Sequence, residues 1–199
     1  LFITYLMSMR MDRVMDFNRP FSLKVVCNIL NTMNYRSIVI LEPHSERTKE
    51  LLGTRCSSQK FYSEPHLDIQ ANIVFPDAGA YQRYKFLSGH WGHIVFNKVR
   101  DLETGKIKEF SIGREVNCYY PTFTFIDDLC DAGGTFLGEL KVLKERYPNA
   151  KFEIIVCHAV NIEGLVKLCN NFDHVTITNS YCDYEYQPSN NLTVIDVCK

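Results

Sequence analysis

Two adjacent carboxylates, Asp127 and Asp128, close the apolar run Phe123-Thr-Phe-Ile, and a third, Asp131, opens the turn Ala132-Gly133-Gly134-Thr135. A helical pattern follows from Phe136 to about Arg146. The glycines let backbone N–H groups approach a phosphate, and the helix N-terminus behind them favours the anion. A strand in front would deliver the acids to its carboxyl end, where open α/β sheets bind ligands. There the carboxylates can hold ribose hydroxyls or a hydrated divalent cation. An ordinary strand–helix turn would account for Gly-Gly alone. The preceding Asp-Asp-x-x-Asp points instead to a sugar phosphate.

A second candidate group lies upstream. Lys98 and Arg100 are two apart in the run Gly92-His-Ile-Val-Phe-Asn-Lys-Val-Arg, so on a strand they project from one face. The turn-rich Asp101-Leu-Glu-Thr-Gly-Lys follows, and Lys106-Ile-Lys-Glu-Phe returns, which reads as a hairpin or a mobile flap. Such a flap can close two cations over a reacting phosphate and exclude water.

Strands and helices alternate around these groups. Leu1 to Leu6 has strand character, and Ser22 is placed to cap a helix reaching about Met33. Ser37-Ile-Val-Ile-Leu is the continuous apolar run of a strand covered on both faces. The polar stretch from Ser57 to His66 reads as a connection. Further strands are expected at 71–75, 151–157, 175–178 and 192–197, with helices at 78–87 and 162–169. This alternation implies parallel sheets with right-handed crossovers.

Composition narrows the possibilities. Hydrophobic residues at 46% and charged residues at 23% describe a globular chain of 199 residues. A net charge of −1 and no basic run give no nucleic-acid footprint, so phosphate recognition must be local. No apolar run approaches the ~18 residues of a membrane span. Leu1-Phe-Ile-Thr-Tyr-Leu-Met7 lacks the cationic lead-in of a signal peptide. None of the eight cysteines falls at C-x-x-C spacing, and Cys27 and Cys157 end apolar runs, so reduced thiols in a cytoplasmic setting are expected.

The segment from Phe123 to Thr135 resembles the PRPP-binding motif of type I phosphoribosyltransferases and ribose-phosphate pyrophosphokinases. Four further segments resemble the pyrophosphokinases, in their order. They are Met9-Arg-Met-Asp-Arg13 with Arg19-Pro-Phe-Ser-Leu-Lys24, Ile38 to His44, Phe75-Pro-Asp-Ala-Gly-Ala-Tyr-Gln-Arg83, and Asn97-Lys-Val-Arg100. The chain is therefore read as similar to a diverged ribose-phosphate pyrophosphokinase over roughly residues 3 to 180.

The resemblance implies an α/β fold of two tandem phosphoribosyltransferase-like lobes with mainly parallel sheets, the first incomplete, divided as 1–60 and 61–199. It implies transfer of diphosphate from ATP to ribose 5-phosphate, with Lys98 and Arg100 acting on the phosphoryl group. Asp127, Asp128, Asp131, Ala132, Gly133, Gly134 and Thr135 would take ribose 5-phosphate, and Arg10, Met11 and Asp12 would take ATP. His44 and Asp77 would share Mg2+. A cytoplasmic homo-oligomer without nucleic-acid or membrane partners is expected.

Three departures stand out. Ala132 replaces a hydroxyl that contacts the 5-phosphate in the family, a loss of roughly 1.5–3 kcal/mol. Met11 replaces a glutamine, and Glu42 replaces an aspartate. The family's first strands and adenine loop would precede Leu1, so the chain reads as a fragment or a shortened relative, with little or no synthetase activity alone. A PRPP-consuming phosphoribosyltransferase and a non-catalytic regulatory homologue are the competing readings.

Overall fold

In the computed structural model the described residues are 1–14, 20–63, 69–88, 92–100, 107–183 and 190–198. The turn 101–106, Arg19, His66, His90, Trp91 and the side chain of Arg100 lie outside them. All eight cysteines are free thiols. Among the described residues no helix is long and apolar enough to cross a membrane.

Strand β1 (Phe2–Ile3), helix α1 (Ser22–Thr32), strand β2 (Ile38–Leu41), helix α2 (Arg47–Leu52) and strand β3 (Cys56–Gln59) build a parallel sheet of order β1-β2-β3. The first strand is shorter than expected. Leu6 and Met9 are buried in the core beside Leu23, Cys27, Ile38 and Ile40, so the apolar run serves packing beyond the strand. Ser22 opens α1 as its first helical residue, and the Phe21 cap makes no side-chain bond. The Leu23 amide donates to the Met11 carbonyl at 3.2 Å, so the chain itself serves one of the amides that a cap would take. Strand β3 falls where a connection was expected; only Cys56 of it is buried, so it lacks an apolar pattern.

The second sheet comprises β4 (Asn72–Phe75), α3 (Ala78–Tyr84), β5 (His93–Arg100), β6 (Ile107–Val116), β7 (Thr122–Cys130), α4 (Gly134–Arg146), β8 (Lys151–Ala159), α5 (Ile162–Asn171), β9 (His174–Thr178) and β10 (Leu192–Ile195). Its order is β10-β9-β8-β7-β4-β5-β6, all neighbours parallel except the β5–β6 hairpin. One face packs Phe125, Phe136, Leu140, Ile154 and Leu165; the other packs Phe61, Phe75, Tyr84, Ile126 and Cys157. Burial on both faces explains the apolar runs in β4, β7 and β8.

The order of strands fixes where a ligand can enter. From β4 the chain adds β5 and β6 on one side, then β7 to β10 on the other. The gap between the ends of β4 and β7 is therefore the topological switch point, where open α/β sheets bind ligands. β4 pairs with β7 only as far as Phe125, and it ends at Phe75. The last residues of β7, including Asp127 and Asp128, are thus open on that side.

Candidate functional site

A cavity of about 740 Å³ occupies this gap. Its walls include Asp77 and Gly79 after β4, Arg83 of α3, Lys98 of β5, Phe110 of β6, Asp127, Asp128 and Leu129 of β7, and the loop Asp131 to Phe136. Arg10 and Arg13, between β1 and α1, and His44, after β2, close it on another side.

The loop is built to leave donors free. Gly133 caps α4 in the left-handed conformation at φ 76°, which glycine adopts without strain, and it makes no side-chain cap bond. The first residues of this 13-residue helix line the cavity, and its N-cap offers no side chain to their amides. A Cβ on Gly134 would meet nothing within 4 Å, so this residue borders open space. Behind the loop, a Cβ on Gly164 would stand 1.7 Å from the Asp131 carbonyl oxygen. The Asn161 side chain caps α5 and donates to Asp131 Oδ1 at 3.3 Å. The two helix starts hold the loop from both sides.

Asp127 and Asp128 lie inside β7 rather than after it, so the strand runs past the acids that were expected at its end. Arg83 joins them: its Nη2 donates to Asp127 Oδ1 and Asp128 Oδ1, each at 2.8 Å. His44 Nδ1 donates to Asp128 Oδ2 at 2.7 Å. Burial works against ionisation of Asp128, but the His44 hydrogen bond and the Arg83 charge outweigh it and hold the carboxyl well below the ordinary range. Asp127 goes the other way, pushed up by burial and by the neighbouring Asp128 charge.

His44 owes its position to a strained turn. Glu42, at the end of β2, has φ 41°, unusual for a residue with a side chain. Three bonds pin it: its amide donates to the Gln59 carbonyl, its carboxylate accepts from the Phe61 amide, and its carbonyl accepts from His158 Nε2. Where the resembled family has an aspartate, the Glu42 side chain is fully enclosed and faces Phe61 and Lys60, away from the cavity lining.

Asp77 caps α3 by accepting from the Ala80 amide at 2.9 Å, and its other oxygen accepts from Lys98 Nζ at 2.8 Å. Burial opposes ionisation here too, but the Lys98 and Ala80 bonds hold Asp77 below the usual carboxylate range. Arg10 lies 3.8 Å from Asp131 at the cavity mouth. Met11 is exposed and Asp12 is buried against Arg13, and neither lines the cavity. Arg13 lines it in their place.

The cavity walls thus bring together Lys98, His44, Asp77, Arg10 and the whole stretch of candidates from Asp127 to Thr135. Sequence reasoning overlooked Arg83 as a site residue, although it ends the quoted segment from Phe75. Its signal is a cation six residues after Asp77, which a short helix carries back over the strand end.

Glu139, in α4, is fully buried, and neither carboxyl oxygen has a hydrogen-bond partner among the described residues. Burial pushes this carboxyl up to about 9, although the Lys98 charge opposes the shift. The folded chain therefore keeps a proton that the unfolded chain, with a pKa of about 4.3, gives up. Stability must fall as pH rises through that window, by at most about 1.4 kcal/mol per pH unit from this group. We expect Glu139→Gln to gain on wild type in melting temperature between pH 6 and pH 8. Parallel pH curves for the two proteins would contradict an un-ionised Glu139.

No family model matches the chain. It is 24% identical to the ribose-phosphate pyrophosphokinase of Mycoplasmopsis pulmonis across 88% of its own length and 57% of that protein. It is 22% identical to the ribose-phosphate pyrophosphokinase of Sulfurisphaera tokodaii across 98% of its length and 68% of that protein. A shorter stretch of 92 residues is 37% identical to ribose-phosphate pyrophosphokinase 3, chloroplastic, of Arabidopsis thaliana, 20% of that protein's length. Among solved structures, phosphoribosylpyrophosphate synthetase from Mycobacterium smegmatis aligns over 98% of this chain and 66% of its own, with TM-score 0.73 and 19% identity.

The chain has a mixed α/β fold with mostly parallel sheets, the fold of that synthetase. In sequence it is a distant likeness of the ribose-phosphate pyrophosphokinases, and it spans 57% of the length of the Mycoplasmopsis relative.

Proposed function

We propose that the chain is a ribose-phosphate pyrophosphokinase that transfers diphosphate from ATP to ribose 5-phosphate in this cavity. One observation carries the reading: the uncapped amides of α4 and the Asp127–Asp128 pair face the same cavity, which Lys98 also lines. Asp131, Ala132, Gly133, Gly134 and Thr135 take the 5-phosphate through backbone donors and the Thr135 hydroxyl. Asp127 and Asp128 face the ribose hydroxyls. Arg10 and Arg13 reach the ATP phosphates, and Met11 and Asp12 act only by shaping that turn. Lys98, with Arg100, neutralises charge as the bond from the ribose 1-oxygen to the β-phosphorus forms and AMP departs.

Mg2+ suits the donor set. The cavity offers carboxylate oxygens from Asp77, Asp127, Asp128 and Asp131, and no cluster of three ligands is gathered among the described residues. A cation that arrives on nucleotide phosphates and keeps its waters needs only one or two carboxylates. Asp77 would hold it, with His44 contributing Nε2 or a water-mediated bond, since Nδ1 is committed to Asp128. When bound, Mg2+ would withdraw charge from the phosphoryl oxygens.

The lobe boundary between residues 60 and 61 belongs to the same reading, supported by Phe61 and Tyr62 packing with Phe75 and Ile126 of the second sheet. So do a cytoplasmic setting and a homo-oligomer. Product analysis tests the chemistry: with ATP labelled at the γ-phosphate, Mg2+ and ribose 5-phosphate at high protein concentration, AMP and labelled PRPP should appear in equal amounts. ADP instead of AMP would remove the synthetase chemistry.

A further inference from the structure

Helix α4 carries a carboxyl for which the site described above has no use. An unpartnered buried carboxyl such as Glu139 weakens a fold, and a well-packed apolar side chain would be better tolerated there. Its position follows from close packing of the hairpin on the helix. Lys98 stands opposite Phe110 in the β5–β6 register, so both side chains leave the same face. Phe110 lies so close to α4 that a Cβ on Gly138 would stand 2.1 Å from its ring. Glu139 is the next residue along. The charges that bear on it are Lys98 of β5, then Asp127 of β7 and Asp77 after β4, and Lys98 is the only cation among them.

Lys98 has a first seat already, 2.8 Å from Asp77 Oδ2. The Asp77 side chain is 41% exposed and open to other cations from the cavity. A cation bound there would repel the ammonium. We propose that Glu139 is a positioning residue, a second and buried seat for the Lys98 ammonium, taken when Asp77 is claimed by another cation. On arrival of Lys98 the Glu139 carboxyl gives one proton to solvent, and the ion pair replaces a neutral acid. The chain thereby keeps Lys98 beside the cavity while freeing Asp77. This accounts for a buried acid that stability alone would not keep, and it does not depend on which phosphate ester the cavity binds.

Carboxyl 13C NMR of protein labelled at glutamate tests the proposal without ATP, ribose 5-phosphate or metal. The Glu139 signal is assigned by its loss in Glu139→Gln. In wild type at pH 7 it should stand at the protonated position. Asp77→Asn removes the first seat yet keeps the oxygen that caps α3, and there the signal should move to the ionised position. Adding Lys98→Met should return it. A protonated Glu139 in folded Asp77→Asn, or an ionised one in wild type, would overturn the proposal. Should Asp77→Asn fail to fold, Lys98→Met alone decides: the Glu139 titration should move upward from wild type, and an unmoved titration would overturn the assignment.

Discussion

Arg83→Ala should cost about 3–5 kcal/mol of folding stability, the range for removing one partner of a buried ion pair. In a chain of 199 residues this corresponds to roughly 6–20 °C in melting temperature. The reason is local. One nitrogen of Arg83 serves both Asp127 and Asp128, and the Asp128 side chain is only 2% exposed. Without the guanidinium, His44 alone would face two adjacent carboxylates. The melting temperature should then rise on adding Mg2+ far more in Arg83→Ala than in wild type, because a divalent cation can take the vacated place between the acids. Chemical denaturation of both proteins measures the loss. A change under about 1 kcal/mol would mean that one carboxyl simply protonates and that Arg83 does not organise the site.

The second large effect concerns turnover. Lys98→Ala should lower kcat by on the order of 10²-fold or more with a modest change in KM, since in the proposed reaction the ammonium would act on charge that develops as the phosphoryl bond breaks. Its bond to Asp77 places it at the cavity wall rather than in the phosphate loop. Steady-state kinetics with ribose 5-phosphate and ATP varied in turn separate the cases. A loss confined to KM would make the hairpin lysine a binding clamp instead.

The loop and its helix were legible from sequence because everything they need is local. Apolar strand, acids, two glycines and helix follow one another within 24 residues, from Phe123 to Arg146. The same locality made α5 and the strands β7 to β9 readable. What escaped depends on distant parts of the chain. Strand β3 is polar and mostly exposed, and its strand character comes from pairing with β2. Arg83 is 44 positions from Asp127, and only the placement of α3 at the end of β4 unites them. The burial of Glu139 depends on the β5–β6 hairpin, whose Phe110 covers Gly138 beside it. Met11 and Asp12 lie in a short motif, but Ser8 adopts φ 64° just before them and the turn that follows sends Met11 outward. His44 lines the cavity, and its partner Asp128 lies 84 positions away.

In the proposed function the Asp131 to Thr135 loop binds the phosphate of ribose 5-phosphate through its backbone. Isothermal titration of ribose 5-phosphate into wild type and Gly134→Val tests it most directly. A Cβ at Gly134 clashes with no protein atom, so the variant should fold and keep its melting temperature while its side chain fills the space where the phosphate meets the amides. Wild type should bind measurably, and the variant at least tenfold more weakly. Equal affinities in two equally folded proteins would contradict it.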